Sequence, residues 1–435
     1  MSIPSSFFSA SGGSALANTL AVISNIILVL FTVCYLYQYF YIPVALFGKR
    51  AVKKAARRHS FAVLVCARNE EAVIAGCIDS IISQAYPKEL LRVFVLADNC
   101  TDGTAEAARS AGAIVYERKD ERRIGKGYAL EYLFSRIAED YPRAADAYII
   151  FDADNIVDSG FVAAMNDMYE AGYNVSTCYR NTKNYTDSVI AACSGLWFLR
   201  ESRFLNGARM LLGTGCAVSG TGFMISRKYL ESIGGWNCHI LIEDIEFTVE
   251  CALRGEKIGY CRQAITYDEQ PVDFKTAWHQ RIRWCKGYFQ LFTKYSLRLL
   301  KGALKGSFTC FDMLMNLSPA YIISIFGQLT FAAGLIISFF TGAADIISVL
   351  LSVCKLLLGG YVTMFILGAI TTASEWKSIY AKAPWKLLIV LLFPLFIATY
   401  LPISLIALFS KPQWKHIEHT SRKTRSDFKS KSDAA

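Results

Sequence analysis

Charge is missing from the first 47 residues: Met1 to Phe47 contain no Lys, Arg, Asp or Glu. Residues 17–47 are enough to cross a hydrocarbon core about 30 Å thick, which takes about 20 apolar residues. The lack of a positive n-region argues against a cleaved secretory signal. Paired cysteines are missing too. Thirteen Cys is an odd number, and none form a C-x-x-C pair. That encourages neither a disulfide framework nor a zinc ribbon and fits a reduced, cytosolic compartment. No G-x-G-x-x-G follows the first strand-like run and no Walker A sequence occurs, so dinucleotide and P-loop chemistry are unsupported. No internal repeat of the kind secondary transporters carry is visible.

What the chain does have is apolar mass and two basic blocks. At 435 residues there is room for two or three domains, and 53% hydrophobic content is high for a soluble protein. The formal charge of +10 arises in "GKRAVKKAARRH", with six Lys/Arg and no acid, and in the tail from Lys411, with seven Lys/Arg against three acids. Everything between is balanced. Two basic blocks beside apolar ends fit anionic lipid headgroups and argue against nucleic acid as a partner. By the positive-inside rule, the chain beyond Arg58 is cytoplasmic.

The expected organisation is a short extracytoplasmic segment (1–16), a transmembrane helix (17–47), a basic juxtamembrane segment (48–58), a catalytic-type domain (59–300), an interfacial segment (301–318), a transmembrane region (319–410) and a basic cytoplasmic tail (411–435). The region 319–410 holds three apolar spans, at about 319–341, 346–372 and 387–409. Their parity conflicts with the basic tail, because three crossings from the inside would leave it outside. A last span that is re-entrant or partly interfacial, interrupted by Pro394 and Pro402, would restore an inside tail. Lys355 within the second span either marks a polar pathway or snorkels to the headgroups.

Residues 59–300 alternate strand and helix patterns. "FAVLVCA", "RVFVLAD" and "AYIIFDA" are short apolar runs, with helical spacing in "EEAVIAGCIDSIISQ" between the first two. This predicts an α/β fold with a parallel sheet. Ligands gather at the carboxyl ends of such strands, and here each end is polar: Arg68-Asn69-Glu70, Asp98-Asn99 and Asp152-Ala153-Asp154. Asp152 and Asp154, two apart, can direct carboxylates to one side, where hard oxygen ligands suit Mg2+ or Mn2+ bridging a diphosphate; an Asx-turn is the plainer reading. Lys126 in "RRIGKGYAL" stands between two glycines, a candidate phosphate contact. Glu243 and Asp244 open an apolar-periodic helix, where Asp244 is either catalytic or an N-cap or dipole-stabilising acid. If residues 275–290 are helical, Gln280, Arg283 and Trp284 share a face. Arg then supplies a charge-assisted fork for a diphosphate and Trp a plane for a sugar; a basic amphipathic helix on lipid is the alternative.

Asp98, then Asp152-Ala153-Asp154, Glu243-Asp244 and Gln280-x-x-Arg283-Trp284, followed by apolar spans, resemble the D, D-x-D, E-D, Q-x-x-R-W series of membrane-embedded family 2 glycosyltransferases, which include cellulose, chitin and hyaluronan synthases. The resemblance covers residues 61 to about 290. It implies a GT-A (Rossmann-like) cytosolic domain between N- and C-terminal transmembrane helices, a nucleotide-sugar donor, usually UDP-linked, Mg2+ or Mn2+, and inversion at the anomeric carbon. By the same resemblance Asp98, Arg68 and Glu70 belong to the nucleotide pocket and Glu243 to the substrate site, which Lys126 joins as the candidate phosphate contact. Asp152 and Asp154 hold donor and metal, Asp244 is the general base, and Gln280, Arg283 and Trp284 line the diphosphate and acceptor end. "SGTGFMIS", with Gly220, Thr221 and Gly222, borders the acceptor. Asn99 departs from the pattern where a second Asp is common, and "CARNE" differs from the cellulose-type forms. The tail "WKHIEHT" looks like that of short bacterial members, with no length after the last span for a cyclic-dinucleotide sensor.

The expected product is a growing polysaccharide, with export across the cell membrane. A lipid acceptor receiving a single sugar is the alternative, and a nucleotide-binding membrane receptor or transporter a distant one.

Overall fold

The computed structural model describes residues 15–143, 145–317, 319–340, 346–411 and 417–428. Most of the predicted N-terminal segment (1–16), and parts of the tail at 412–416 and 429–435, lie outside them.

A long helix α1 (Ala15–Phe47) leads into the α/β domain. The first half of that domain comprises β1 (Phe61–Ala67), α2 (Ile74–Ile82), β2 (Leu91–Asp98), α3 (Thr104–Ser110), β3 (Ile114–Arg118), α4 (Lys126–Asp140) and β4 (Ala147–Asp152). These strands are parallel, with β1 between β2 and β4 and β3 outside β2. The alternation predicted from sequence is what forms. β1 is buried along almost its whole length, as expected of a strand covered by helices on both faces, which needs an unbroken apolar run.

The second half comprises β5 (Ile156–Val157), α5 (Phe161–Glu170), β6 (Val175–Thr182), α6 (Val189–Arg200), a π-helical turn (Glu201–Asn206), α7 (Gly207–Leu212), β7 (Phe223–Ser226), α8 (Arg227–Ser232), α9 (Glu243–Arg254) and β8 (Gly259–Asp268). β7 is antiparallel to β4 and β6, β8 runs parallel to β6, and β5 is antiparallel to β8. The eight strands form one mixed sheet in the order β3-β2-β1-β4-β7-β6-β8-β5. The sequence reading found only its parallel half.

The helix predicted at 275–290 is longer: α10 spans Phe274–Leu304, and Asp273 caps it by accepting from Thr276 N at 2.8 Å. Then come α11 (Phe308–Leu317), α12 (Pro319–Phe340), α13 (Ile346–Ser374), α14 (Ala383–Ala398) and α15 (Tyr400–Phe409). By length and composition, Leu357–Ser374 and Ala383–Phe409 can each cross a membrane. Thr399 between α14 and α15 is itself helical (φ −64°, ψ −17°), so the chain does not turn back there as a re-entrant hairpin requires. Instead α14 contributes Ile389, Phe393 and Phe396 to the main core beneath α6, and α15 packs Ile403 and Ala407 against Ile282 and Cys285 of α10.

Candidate active site

The parallel strands deliver their polar ends to one edge. Asn69 after β1 (φ 57°) and Asn99 after β2 (φ 54°) both turn the chain through the left-handed region, which Asn tolerates better than most side chains. Asn69 Oδ1 accepts from Thr101 N at 2.8 Å and Asn99 Oδ1 from Asp120 N at 2.8 Å, so neighbouring loops are tied together. Asp98 is buried and pairs with Arg118 Nε at 2.7 Å. Glu70 lies 2.9 Å from His419 Nδ1; burial nevertheless raises its carboxyl to about 7, against the pull of that imidazole.

At the end of β4, Asp152 is partly exposed and pairs with Lys126 Nζ, which also donates to Gly220 O at 2.7 Å. Burial alone would lower Lys126, but Asp152 and Glu243 raise it, so it stays charged. Asp154 is buried, accepting from Glu269 N at 2.6 Å and Asn155 Nδ2 at 3.1 Å; burial raises its carboxyl. The two acids therefore differ: Asp154 is anchored by the protein, whereas Asp152 is held by one lysine. Two hard oxygen donors two residues apart would hold a small divalent cation together with a phosphorylated ligand. Among the described residues no three His, Cys, Asp or Glu converge as a metal cluster, so the two carboxylates would depend on a phosphorylated ligand to complete the shell.

Gly220 adopts φ +77°, and a Cβ there would come within 3.6 Å of Asp244 Oδ2. Thr221 and Gly222 correct the sequence reading, because they stand behind the site rather than in it. Thr221 is fully buried, accepting from Asp152 N at 3.1 Å and bonding Asn155. A Cβ on Gly222 would collide with Cys178 Sγ at 2.3 Å. Both brace the β4 and β7 ends.

α9 begins at Glu243, with Ile242 in the capping position and no side-chain cap bond. Asp244 thus sits inside the first turn and is not the cap. Burial raises both carboxyls, Glu243 to about 7 with Asp244's charge adding to the effect. From α10, Arg283 donates to Leu241 O at 3.2 Å, and Trp284 meets Phe198 edge to face at 6.0 Å. Arg281, two residues from Arg283, faces the other way. It is buried, donates to Thr399 Oγ1 at 2.6 Å and lies 4.3 Å over the Phe396 ring.

One cavity of about 520 Å³ collects these groups. Arg68, Glu70, Asp98, Lys126, Asp152, Asp154, Gly220, Glu243, Asp244, Gln280, Arg283 and Trp284 all line it. Tyr35 and Gln38 of α1, Met315 of α11 and Tyr400 of α15 line it as well. The sequence reading missed Arg180, Glu201, Tyr288 and His419, which also line it. The tail reaches the cavity by a strap: Ser421 N donates to Glu269 Oε2 at 3.1 Å, and Phe428 stacks on Tyr267 at 4.2 Å. Burial would lower His419, but Asp154, Glu70 and Glu269 raise it to about 9. Only the tail heptapeptide "WKHIEHT" signalled it in advance.

A sequence model described as "Glycosyltransferase like family 2" matches residues 58–287. The chain is 27% identical to a probable glycosyltransferase of Bacillus subtilis over 64% of this chain and 66% of that protein. It is 28% identical to a beta-monoglucosyldiacylglycerol synthase of a Nostoc species over 60% and 55%, and 20% identical to a poly-beta-1,6-N-acetyl-D-glucosamine synthase of Staphylococcus epidermidis over 66% and 69%. These first two relatives are matched over about half to two-thirds of their length. Among solved structures, a mannosyltransferase from Pyrobaculum calidifontis in complex with GDP-Man and Mn2+ superposes with a TM-score of 0.55 at 18% identity, covering 88% of this chain and 99% of that one. That likeness carries the fold.

Proposed function

The chain belongs to the glycosyltransferase-like family 2, and from that premise we propose that it transfers a sugar from a nucleotide-sugar, with inversion, to an acceptor hydroxyl held at the membrane side of the cavity. The observation that carries this is the single cavity lined by Asp98, Asp152, Asp154 and Lys126 together with Asp244, Arg283 and Trp284 and with residues of α1, α11 and α15.

In this reading the Arg68–Glu70 loop and Asp98 receive the nucleoside, and Lys126 and Arg283 face the diphosphate. Asp152 and Asp154 would hold Mg2+ or Mn2+; bound there, the cation supplies charge stabilisation for the departing diphosphate. Asp244 accepts the proton of the acceptor hydroxyl as its oxygen forms a bond to the anomeric carbon. The bond to the diphosphate breaks on the opposite face. Inversion needs only this one base. Arg283, already desolvated between Glu243 and Asp244, offers a preorganised cation to the leaving group. Gln280 and Trp284 border the acceptor.

A growing polysaccharide is the first acceptor reading. A lipid acceptor is the second, favoured by the 28% identity to a monoglucosyldiacylglycerol synthase. For either one, the catalytic domain (59–300) is cytoplasmic and flanked by membrane helices.

The test is incubation of the purified full chain with a panel of labelled UDP- and GDP-sugars in Mn2+ or Mg2+. We expect one donor to release nucleoside diphosphate and to label an acceptor, and excess EDTA to abolish both. Turnover undiminished in EDTA would remove the metal from the mechanism. No turnover of any donor would remove the transferase reading.

A further inference from the structure

Glu201 is a cavity-lining acid that the proposed transfer leaves unused. Glu201 opens the π-helical turn between α6 and α7, a wide turn of the kind that recurs at functional sites. It lines the cavity together with Asp244, Trp284 and Tyr288, and its exposure is partial. Among the described residues nothing donates a hydrogen bond to its carboxylate. Burial raises that carboxyl, while Arg180, Arg209 and Arg200 oppose the effect and Asp244 adds to it, so the acid is close enough to the proposed base to feel its charge. Tyr288 lies near both: its hydroxyl is pushed up by burial and then by Glu201 and Asp244.

The neighbours of Glu201 are equally specific. Arg200 lies 4.8 Å over the Trp197 ring and donates to Gln38 Oε1 of α1 at 3.3 Å. Its Nε has no partner among the described residues. A carboxylate left unpaired in a desolvated pocket costs free energy unless a ligand completes it. A carboxylate accepts hydroxyl protons and repels phosphate, whereas aromatic planes such as Trp197 and Tyr288 suit the apolar face of a sugar ring.

We propose that Glu201, Arg200, Gln38, Trp197 and Tyr288 form an acceptor subsite for a neutral sugar ring, with Glu201 accepting hydrogen bonds from its hydroxyls. This rests on the reading of Asp244 as the acceptor base. It makes Glu201 a specificity-determining residue and excludes an acceptor whose reacting end is a phosphate or a bare glycerol. The sugar ring can belong to a glycan end or to a glycolipid headgroup.

The experiment uses the full chain in detergent with the donor it turns over. Four acceptors are compared: cellotetraose, octyl β-D-glucoside, dioleoylglycerol in neutral vesicles and a polyprenyl phosphate. We expect one of the two sugar acceptors to be preferred, the oligosaccharide if the source is a glycan end and the alkyl glucoside if it is a glycolipid. For the preferred acceptor, Glu201→Gln should raise KM by about tenfold, the loss of roughly one hydrogen bond to a charged group. Its donor KM and its donor hydrolysis without acceptor, in which the subsite takes no part, should stay at parental values, which a generally damaged fold would not allow. An unchanged acceptor KM in Glu201→Gln, or preference for dioleoylglycerol or polyprenyl phosphate, overturns the subsite while leaving the transferase reading intact. Absence of donor turnover in the parent overturns both.

Discussion

Asp244 and Asp98 show what a single side chain can and cannot announce. Asp244→Asn keeps the shape of the first turn of α9 and removes the proton acceptor. Turnover should therefore fall by about 100-fold or more while nucleoside diphosphate binding, measured by calorimetry, holds. If synthesis persisted, the base would lie elsewhere; if binding collapsed as well, Asp244 would belong to the donor pocket. The buried acidic pair also sets a pH dependence. With the Asp244 carboxyl raised by burial, kcat/KM should climb with pH across a range above that of an ordinary carboxylate. Stability should run the other way, because a carboxyl whose folded pKa is raised stabilises most below its ordinary value of 4.5 and loses that contribution as pH rises through 7. Glu243→Gln removes a neighbouring charge, so the acid limb of activity should move to lower pH; a limb that stays put would contradict the pairing. The acids at strand ends and in α9 were legible because chemistry and spacing coincide within a few residues. Glu201 was not, since it reaches the cavity from a segment whose local sequence says nothing about what it faces, and the tail heptapeptide around His419 marked a likeness without saying what the imidazole faces. Thr221 and Gly222 were misplaced because sequence adjacency to Gly220 does not reveal which residue points into the cavity.

Helices in this protein carry two environments at once, and that limits what periodicity reveals. α10 turns Arg283 and Trp284 to the cavity and Arg281 to α14 and α15, so a basic face read as one feature is in fact two. The π-helical turn after α6 leaves no compositional trace, and β6, β7 and β8 pair across long separations that local patterns do not encode. The parallel strands were legible because burial on both faces demands an unbroken apolar run. The joint between α1, α7 and α11 depends on a pair no pattern indicated. Arg209 and Asp312 are almost fully buried and meet at 2.7 and 3.0 Å, with the hydroxyls of Tyr37 and Tyr41 of α1 on the same carboxylate. Removing one partner strands the other charge. Asp312→Ala should cost about 3–5 kcal/mol in unfolding free energy. The double change Arg209→Met with Asp312→Leu should recover much of it. Equal destabilisation of single and double variants in thermal unfolding would show that the joint relies on shape rather than charge.

At the scale of the whole molecule, the parity of the apolar spans turns on where the chain returns. The end of α13 is docked on the α/β domain: Glu375, buried, accepts from Tyr179 Oη at 2.7 Å and Arg262 at 3.0 Å. Trp385 at the start of α14 donates to Tyr185 O at 2.7 Å. α14 and α15 then lie along α6 and α10 with one face in the domain's cores, while Leu387, Leu391, Leu395 and Phe409 stay exposed on the other. A helix packed this way can serve as an interfacial platform, although by length and composition Ala383–Phe409 can also cross. The tail after it binds Glu70 and Glu269 in the cavity. If α1, α12 and α13 cross, three crossings place domain and tail on one side, expected to be the cytoplasmic side from the basic block before β1. Ala343→Cys, in the connection from α12 to α13, should react with an impermeant maleimide on intact cells above the parental background. Lys275→Cys in the domain and Thr424→Cys in the tail should react only after permeabilisation. Labelling of Thr424→Cys on intact cells would mean that α14 and α15 cross after all, and since the strap would then be cut off from Glu70, its contacts with the cavity would have to be abandoned too.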